Sequence, residues 1–412
     1  MTRNAEWILH NVLLCGTSHK NYLLGTSALA LGAVISAPVS AQEWNVPFTG
    51  FMSQHVGYAD LSGSALAAGG DFDGVDIHSS TEIIFTPSIT LDNGLTFGVN
   101  ASLEGENTGQ EIDESYFSIS GDTLGKVVIG SENPAGYTMM VSAPIVTAMY
   151  INSPSISTFI PFSAAYPGGF LQAGLTSFTE VAGNDDVQRL SYYTPSFNGL
   201  TLGISYAPTG MNNVANSFGV DKNTVLSDIF DIGANYTQTF GSTSVSLAAR
   251  YGVGSVASII PAVAASAGPD GLDGTADDIA ATAAALNPDG DPETWGIGAQ
   301  IGFGDFMVGG SYAENDNGGA LGAGDSSGWN FGATYDAPGA WSFEVVAYLG
   351  ETDIGATNAE YNAYRIGASR DLGPGVDWDI YVVQLDADDG VPGAAGLDVE
   401  GTVLGTGINL SF

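Results

Sequence analysis

Apolar and polar residues alternate along this chain, and residues 399–412 show the pattern most clearly. Every second residue back from the end belongs to a mostly apolar face, made of Phe412, Leu410, Ile408, Thr406 and Leu404. The residues between them are small and mostly polar. A period of two predicts a β-strand that runs to the final residue. A soluble protein would leave this strand as an exposed edge, so the ending favours a closed membrane-spanning barrel.

Similar strand-like runs follow one another from residue 42, and two kinds of connection separate them. Seven are short turns rich in Gly, Asn, Asp or Pro, at 92–94, 121–125, 197–199, 241–242, 304–305, 336–339 and 372–375. Eight are longer and polar, near 59–74, 105–110, 132–187, 208–226, 257–293, 314–327, 351–360 and 387–398. These connections predict 16 antiparallel strands, with short turns on one side and long loops on the other. We expect the last strand to close the ring by pairing with the first, near residues 46–58.

The outward faces of the predicted strands are apolar, and aromatic residues cluster at strand ends. These aromatic residues are Trp295, Phe303, Trp329, Tyr335, Trp341, Trp378 and Phe412. Aromatic girdles of this kind lie at the two membrane interfaces of a transmembrane barrel. A soluble β-sandwich is the alternative, but it would carry more charge on its outer face and no girdles. The pattern therefore favours an all-β transmembrane barrel.

Composition agrees with a barrel and adds a targeting segment. Glycine is abundant, at 57 residues, while charged residues make up only 13% of the chain, which is about half of the usual share. Lys20, an apolar run at 23–37 and the sequence Val39-Ser40-Ala41 predict a signal peptide at residues 1–41, with the barrel at 42–412. Removal of this segment takes away Cys15, the sole cysteine, and with it any disulfide or thiol chemistry.

The charge balance excludes some functions. The first 41 residues hold Arg3, Lys20 and Glu6, which leaves 6 basic and 44 acidic residues in the predicted mature chain. So acidic a protein repels nucleic acid, which excludes it as a partner. Only His55 and His78 remain as histidines, and no Ser-His-Asn pattern accompanies them. We therefore predict that the protein is not an enzyme and requires no cofactor.

Several motifs, taken in their order along the chain, resemble the general trimeric porins of α-proteobacteria, a Gram-negative outer-membrane family. They are residues 82–99, 112–117, 125–133, 188–195 and the C-terminal strand. The resemblance implies a water-filled barrel of 16 strands in the outer membrane, with short periplasmic turns and long extracellular loops. It further implies a homotrimer in contact with lipid and lipopolysaccharide, which passes small hydrophilic solutes by passive diffusion. Phe412 would then serve as the signal that the barrel-assembly machinery reads.

The longest predicted loop, at 132–187, is unusually apolar for a surface segment. Its aromatic residues include Tyr137, Phe159, Phe162, Tyr166 and Phe170. A loop with this content must bury its side chains, and the inner barrel wall offers a surface for them. The resemblance likewise implies a third loop that folds inward and constricts the pore. The alternative is a loop that packs on itself or at a subunit interface.

Charged residues on the inner faces of the strands are the candidates for ion preference. The basic candidates are Lys126, Arg189, Arg250 and Arg365, although a charge near a strand end could instead reach out to water. The acidic candidates are Glu82, one of Asp113 and Glu114, Glu132 at the start of the third loop, Asp231, Glu344 and Asp379. Because acid exceeds base in both lumen and loops, we expect the pore to prefer cations.

A second acidic feature lies in the loop at 257–293, on the predicted extracellular side. Its carboxylates Asp270, Asp273, Asp277 and Asp278 alternate with glycines and could bind Ca²⁺, although the spacing is not that of an EF-hand. A solvated acidic loop is the alternative. Two other functions stay open beside the cation-preferring porin. One is a solute-selective channel, for example for sugars, that uses the loop aromatics; the other is a Ca²⁺-bridged structural barrel with a plugged lumen.

Overall fold

A computed structural model describes residues 43–64, 71–105, 112–148, 159, 184, 186–210, 220–223, 225–260, 285–316, 325–354, 357–393 and 396–412. The predicted signal peptide at 1–41 lies outside these residues. Within the described ranges, 16 strands and one short helix, α1 (Ala135–Thr138), make up the regular structure. No helix in these ranges is long and apolar enough to span a membrane.

The strands follow one another around the ring in chain order. The first eight are β1 (Phe48–Ser62), β2 (Gly74–Phe85 and Ser88–Thr90), β3 (Thr96–Glu104), β4 (Ile112–Gly121), β5 (Gly125–Glu132), β6 (Val187–Tyr193), β7 (Leu200–Thr209) and β8 (Ser227–Phe240). The last eight are β9 (Thr243–Ile260), β10 (Ala285–Gly290 and Glu293–Phe303), β11 (Phe306–Asp316), β12 (Ser326–Asp336), β13 (Trp341–Ile354), β14 (Thr357–Gly373), β15 (Val376–Asp388) and β16 (Asp398–Ser411).

Every strand pairs antiparallel with its neighbours, and β1 pairs with β16 from Phe51↔Ser411 to Ser62↔Glu400. This seam closes the barrel, as the terminal strand predicts. All seven predicted short turns join neighbouring strands on one side of the barrel. The prediction of a closed barrel with 16 strands is therefore confirmed.

Two strands are interrupted, and each interruption contains a proline. β2 breaks at Thr86-Pro87, and β10 breaks at Asp291-Pro292. Proline has no backbone N–H to donate to the neighbouring strand, so the ladder loses a hydrogen bond there. Both halves of each interrupted strand still pair with the same neighbour, β3 for β2 and β9 for β10. Each pair of segments therefore occupies a single position in the ring.

Two of the predicted long loops are shorter in the structure. Both ends of the acidic loop expected at 257–293 belong to strands, because β9 runs to Ile260 and pairs with Ala285–Gly290. The loop expected at 351–360 is a tight connection, with Ile354 of β13 opposite Thr357 of β14. Polar residues misled the second prediction, whereas the strand end missed in the first, Ala257–Ile260, is largely apolar. Strand pairing uses backbone groups, so a hairpin continues into polar sequence beyond the apolar belt.

The two faces of the strands differ as the alternation predicts. On β10, the aromatic and aliphatic residues Trp295, Ile297 and Ile301 point outward and are exposed, whereas Thr294 points inward and is buried. Aromatic rings form a belt at each end of the strands. On the long-loop side, the ring of Tyr312 lies 5.1 Å from Trp295 and 4.5 Å from Trp329. On the short-turn side, the rings of Phe303, Phe306, Tyr335, Trp341 and Trp378 contact their neighbours at 4.6–5.8 Å.

Deletion of Phe412 should weaken the closing seam. The N–H of Phe412 donates to the Gly50 carbonyl at 3.1 Å, and the Gly50 N–H donates to the Phe412 carbonyl at 3.0 Å. We expect the loss of both bonds to cost about 1–3 kcal/mol and to lower the temperature at which the folded barrel unfolds in detergent. Phe412→Ala is the control, because it keeps both bonds. Equal unfolding temperatures for the deletion and the wild type would contradict the role of these bonds.

Candidate functional site

The interior of the barrel holds a segment of the third loop, residues 133–148, which we call the strap. It follows β5, contains α1 and runs along the inner wall from β6 to β15. The prediction that the third loop folds inward is confirmed. Wall side chains bind the strap through hydrogen bonds to its backbone, and buried strap side chains such as Met139 and Ile145 pack against the wall.

The first half of the strap is bound by β7 and β8. The Ala135 N–H donates to Ser205 Oγ at 3.1 Å, and the Gly136 N–H donates to Asp231 Oδ1. The Asn235 amide donates to the Met139 carbonyl at 2.9 Å. These bonds satisfy backbone groups that the short helix leaves without partners.

The second half is bound by the strands from β10 to β15. Gln300 donates to the Ser142 carbonyl at 2.7 Å, and Asn330 accepts the Ala143 N–H at 2.9 Å. Further along, Glu344 accepts the N–H groups of Val146 and Thr147 and the Thr147 hydroxyl, while Asp379 accepts the Ala148 N–H at 2.8 Å. Each bond is worth about 1 kcal/mol, so the set holds the strap firmly against the wall.

Inward-facing glycines on five of the strands make room for the strap. They are Gly203 on β7, Gly233 on β8, Gly298 on β10, Gly332 on β12 and Gly367 on β14. A Cβ added at Gly298 would overlap the Val141 carbonyl, and one added at Gly233 would lie 2.8 Å from the Gly136 Cα. The glycines therefore form a shallow groove in which the backbone of the strap lies against the sheet.

Two of the wall carboxylates that hold the strap also form buried ion pairs. Arg250 contacts Asp231 at 2.9 Å, and Arg365 contacts Glu344 at 2.7 Å. Removing either arginine would leave an uncompensated charge inside the wall, which is costly. Arg250 and Arg365 therefore face inward, as predicted. They are nevertheless buried beside the strap, so the sequence expectation that they line the water path needs correction.

Arg189 has a related role at the root of the loop. Its guanidinium donates to the carbonyls of Glu132 and Asn184, while Asn133 donates to Asp186 at 2.9 Å. These bonds join the segment that leaves β5 to the segment that enters β6. Arg189 is buried too, and in the structure it closes the neck of the third loop rather than facing open water.

The opposite side of the wall carries a group of carboxylates on β2, β3 and β4, which we call the acidic arc. Glu82 and Glu104 face each other across β2 and β3, and oxygens of Glu82, Glu104 and Asp113 lie within 4.8 Å of one another. A bulge in β4 places two residues, Asp113 and Glu114, opposite Ser102 alone. The bulge turns both side chains towards the interior, where sequence alternation predicted only one of them. Glu104 was missed because it ends its strand, where alternation is hard to assign.

Lys126 and Glu132 lie on β5 beside the acidic arc. The Lys126 ammonium lies 5.8 Å from the centre of the Tyr116 ring. Glu132 is buried and accepts the N–H of Asn133 at 3.1 Å. All four basic candidates are among the described residues. Lys126 is only partly buried, whereas the three arginines are buried.

Of the predicted aromatic residues, the structure describes two. Tyr137 is buried beneath the Arg250 guanidinium, which lies 6.0 Å from its ring centre. Phe159 is buried against β1 and β2, where its ring lies 6.1 Å from that of His78. Phe162, Tyr166 and Phe170 lie outside the described residues, as do Asp270, Asp273, Asp277 and Asp278. Both described rings therefore pack against the wall.

The inner face is not polar all round. From β13 to β16 and on β1, it carries a buried apolar cluster whose largest members are Tyr348, Tyr361, Tyr381 and Leu385. Ile145 of the strap and Phe159 pack against this cluster. The barrel thus has a filled apolar sector beside the far end of the strap and a charged sector around the acidic arc.

Comparison with known proteins agrees with this geometry. A family model described as Gram-negative porin matches residues 25–390. The chain belongs to the Gram-negative porin family. This places the protein in the outer membrane and makes it a channel by family and fold rather than an enzyme. A search among curated proteins gave no match.

Solved porin structures share the fold at low identity. The anion-selective porin from Comamonas acidovorans is 18% identical, with a TM-score of 0.54 over 90% of this chain and 100% of that one. The trimer form of in-vitro folded OmpT, an outer membrane protein of Vibrio cholerae, is 11% identical, with a TM-score of 0.54 over 90% and 99%. The outer membrane channel DcaP of Acinetobacter baumannii is 12% identical, with a TM-score of 0.53 over 90% and 97%. Identities this low show the porin fold alone.

Gly298→Ala should displace the strap of this porin. The new methyl group would overlap the Val141 carbonyl, and overpacking of this kind costs about 1–3 kcal/mol. We expect the strap to move into the lumen and the single-channel conductance to fall. Gly302→Ala is the matched control on the same face of β10, because its Cβ would meet only the Ser244 side chain and the Met307 methyl. Wild-type conductance in Gly298→Ala would contradict the groove.

Proposed function

We propose that this porin is a cation-preferring channel for passive diffusion of ions and small hydrophilic solutes, with the strap as its size filter. The acidic arc carries the proposal. Glu82, Glu104, Asp113 and Glu114 lie together on one sector of the wall, and Lys126 is the neighbouring base. Buried charges are screened less than exposed ones, so this sector attracts cations even where its side chains do not touch the water path.

The wall carboxylates that bind the strap and the arginines paired with them carry nearly equal numbers of negative and positive charges, which agrees with the proposed cation preference. Asp231 and Glu344 are paired with Arg250 and Arg365. Asp379 is occupied by the N–H of Ala148. The acidic arc, by contrast, gathers four carboxylates in one sector of the described wall. Such an arrangement raises the local concentration of cations along one side of the lumen.

Reversal potentials in a KCl gradient test this preference. We expect the wild type to favour K⁺ over Cl⁻. Glu82→Gln combined with Glu114→Gln should lower the permeability ratio, on the order of twofold, because it removes two inward charges. Glu360→Gln is the control, since this carboxylate is exposed on the outer face of β14. Anion preference in the wild type would refute the proposal.

We also propose a homotrimer that contacts outer-membrane lipid and lipopolysaccharide and is inserted by the barrel-assembly machinery, with Phe412 as the recognition signal. The trimer is supported by the family and by the likeness to OmpT, an outer membrane protein solved in trimer form. Phe412 is exposed at the short-turn end of the closing seam, where another protein can reach its ring.

Planar-bilayer recordings test both the channel and its oligomeric state. We expect conductance that closes in three equal steps, since each barrel of a trimer forms its own pore. Phe412→Ala should lower the yield of membrane-inserted trimer while the assembled trimer conducts normally. Single-step closure would argue for a monomer, and an unchanged yield would remove Phe412 as a signal.

The two alternative functions, a sugar channel and a plugged structural barrel, can each be tested. A sugar channel needs accessible aromatic rings in the lumen, and the described ones, Tyr137 and Phe159, are buried. Block of the current by sugars would favour it. A plugged structural barrel is favoured by the apolar sector, and absence of conductance would support it. Ca²⁺ binding at Asp270, Asp273, Asp277 and Asp278 has a separate test. If Ca²⁺ protects this loop from protease and EDTA abolishes the protection, the result supports a Ca²⁺ site.

A further inference from the structure

The seam that closes the barrel carries two aromatic rings on its inner face. His55 of β1 lies opposite Gly407 of β16, and a Cβ on Gly407 would overlap the imidazole. Tyr381 of β15 covers Gly405 in the same manner. The rings of His55 and Tyr381 therefore meet over the last strand, with their centres 5.7 Å apart. We call this arrangement the clasp.

Hydrogen bonds extend from the clasp along the inner wall. His55 Nδ1 lies 3.1 Å from the Tyr381 hydroxyl, and His55 Nε2 lies 3.1 Å from Asn409 Oδ1. Asn409 Oδ1 can only accept, so Nε2 carries the proton and Nδ1 accepts from the tyrosine. The Asn409 amide in turn donates to Asp379 Oδ2 at 2.6 Å. A neutral imidazole is thus compatible with each of the hydrogen bonds in this chain.

The chain ends at the strap. Asp379 Oδ2 also accepts the N–H of Ala148 at 2.8 Å, which is the last described contact between strap and wall. His55, Tyr381 and Asp379 are all buried, so bulk water cannot replace a lost partner without cost. Asn409 and Ser369 therefore both help to orient the Asp379 carboxylate, and the orientation of Asn409 depends on His55.

We propose that His55 and Asn409 are positioning residues for the constriction, and that they dock the far end of the strap only when β1 has paired with β16. His55 comes from one side of the seam, while Asn409 and Asp379 come from the other. Before closure, the histidine is absent and Asn409 is free to turn away from Asp379. Barrel closure and narrowing of the pore are thereby coupled. The proposal rests on the strap acting as the size filter.

The test compares variants that break the chain at different points. His55→Ala and Asn409→Ala should both release the far end of the strap. We expect faster entry of the trisaccharide raffinose in liposome-swelling assays and noisier single-channel currents. The K⁺ to Cl⁻ permeability ratio should stay as in the wild type, because neither change removes a charge. The unfolding temperature of the Asn409→Ala barrel should fall no further than that of the Phe412 deletion, which also loses two hydrogen bonds, whereas a general loosening of the wall would lower it more.

Two conservative variants separate positioning from packing. His55→Gln places an amide nitrogen near the site of Nε2 and should restore the raffinose limit through Asn409. His55→Asn places its amide on the Tyr381 side and should not restore it. If His55→Ala does not assemble, Asn409→Ala decides alone, because it leaves both rings of the clasp in place. Wild-type raffinose entry in Asn409→Ala would overturn the proposal.

Amide hydrogen exchange at Ala148 gives a readout that does not need conduction. We expect exchange about tenfold faster than in the wild type for His55→Ala and Asn409→Ala, and unchanged exchange for His55→Gln. A wild-type protein that does not conduct would refute the channel function but leave this measurement valid. Unchanged Ala148 exchange in Asn409→Ala would refute the coupling even in a conducting channel.

Discussion

The structure depends on one constraint, which is that no backbone N–H or C=O can remain unpaired inside a membrane. Between strands the constraint is met by closure, since β1 pairs with β16 along twelve residue positions. Inside the barrel, the backbone groups of the strap, which is buried against the inner wall, also need hydrogen-bond partners. The strap has little regular structure of its own, so its N–H groups find acceptors in side chains of the wall. The same requirement therefore shapes both the ring and the segment that narrows it.

This second solution changes how the charges of the wall should be understood. Asp231, Glu344 and Asp379 are inward-facing carboxylates, and from their positions alone each would count as a selectivity residue. Their oxygens instead accept strap N–H groups, and two of them also hold an arginine. A carboxylate engaged in this way contributes mainly to the position of the strap. Under the proposed cation preference, selectivity then depends on the carboxylates that hold no described part of the strap, which are those of the acidic arc.

Glycine has two functions in this barrel, and both arise from the absence of a side chain. On the strands from β7 to β14, glycines form the groove for the strap. On β16, Gly405 and Gly407 allow the rings of Tyr381 and His55 to lie flat against the last strand. The strap and the clasp are therefore both close approaches to the sheet, and the Asn409–Asp379 bond links them. Under the coupling proposed above, the small residues on the inner face of the C-terminal strand help to position the strap that narrows the pore.

The sequence by itself determined the barrel. Alternation, turn residues and aromatic strand ends were enough to predict 16 strands and the closing pair, because each depends on local pattern or on chain order. The apolar content of the third loop and the family resemblance predicted that this loop folds inward. The sequence also placed Lys126, Arg189, Arg250 and Arg365 on inner faces, since alternation assigns a side to each residue. What alternation cannot assign is a partner. Three features depend on which residues of different strands lie at the same height along the barrel axis. They are the bulge that turns both Asp113 and Glu114 inward, the pairing of Glu344 with Arg365 and the bond from Asn409 to Asp379. That height follows from strand register and from the path of the strap, so only the tertiary structure decided which charges hold the constriction and which face the pore.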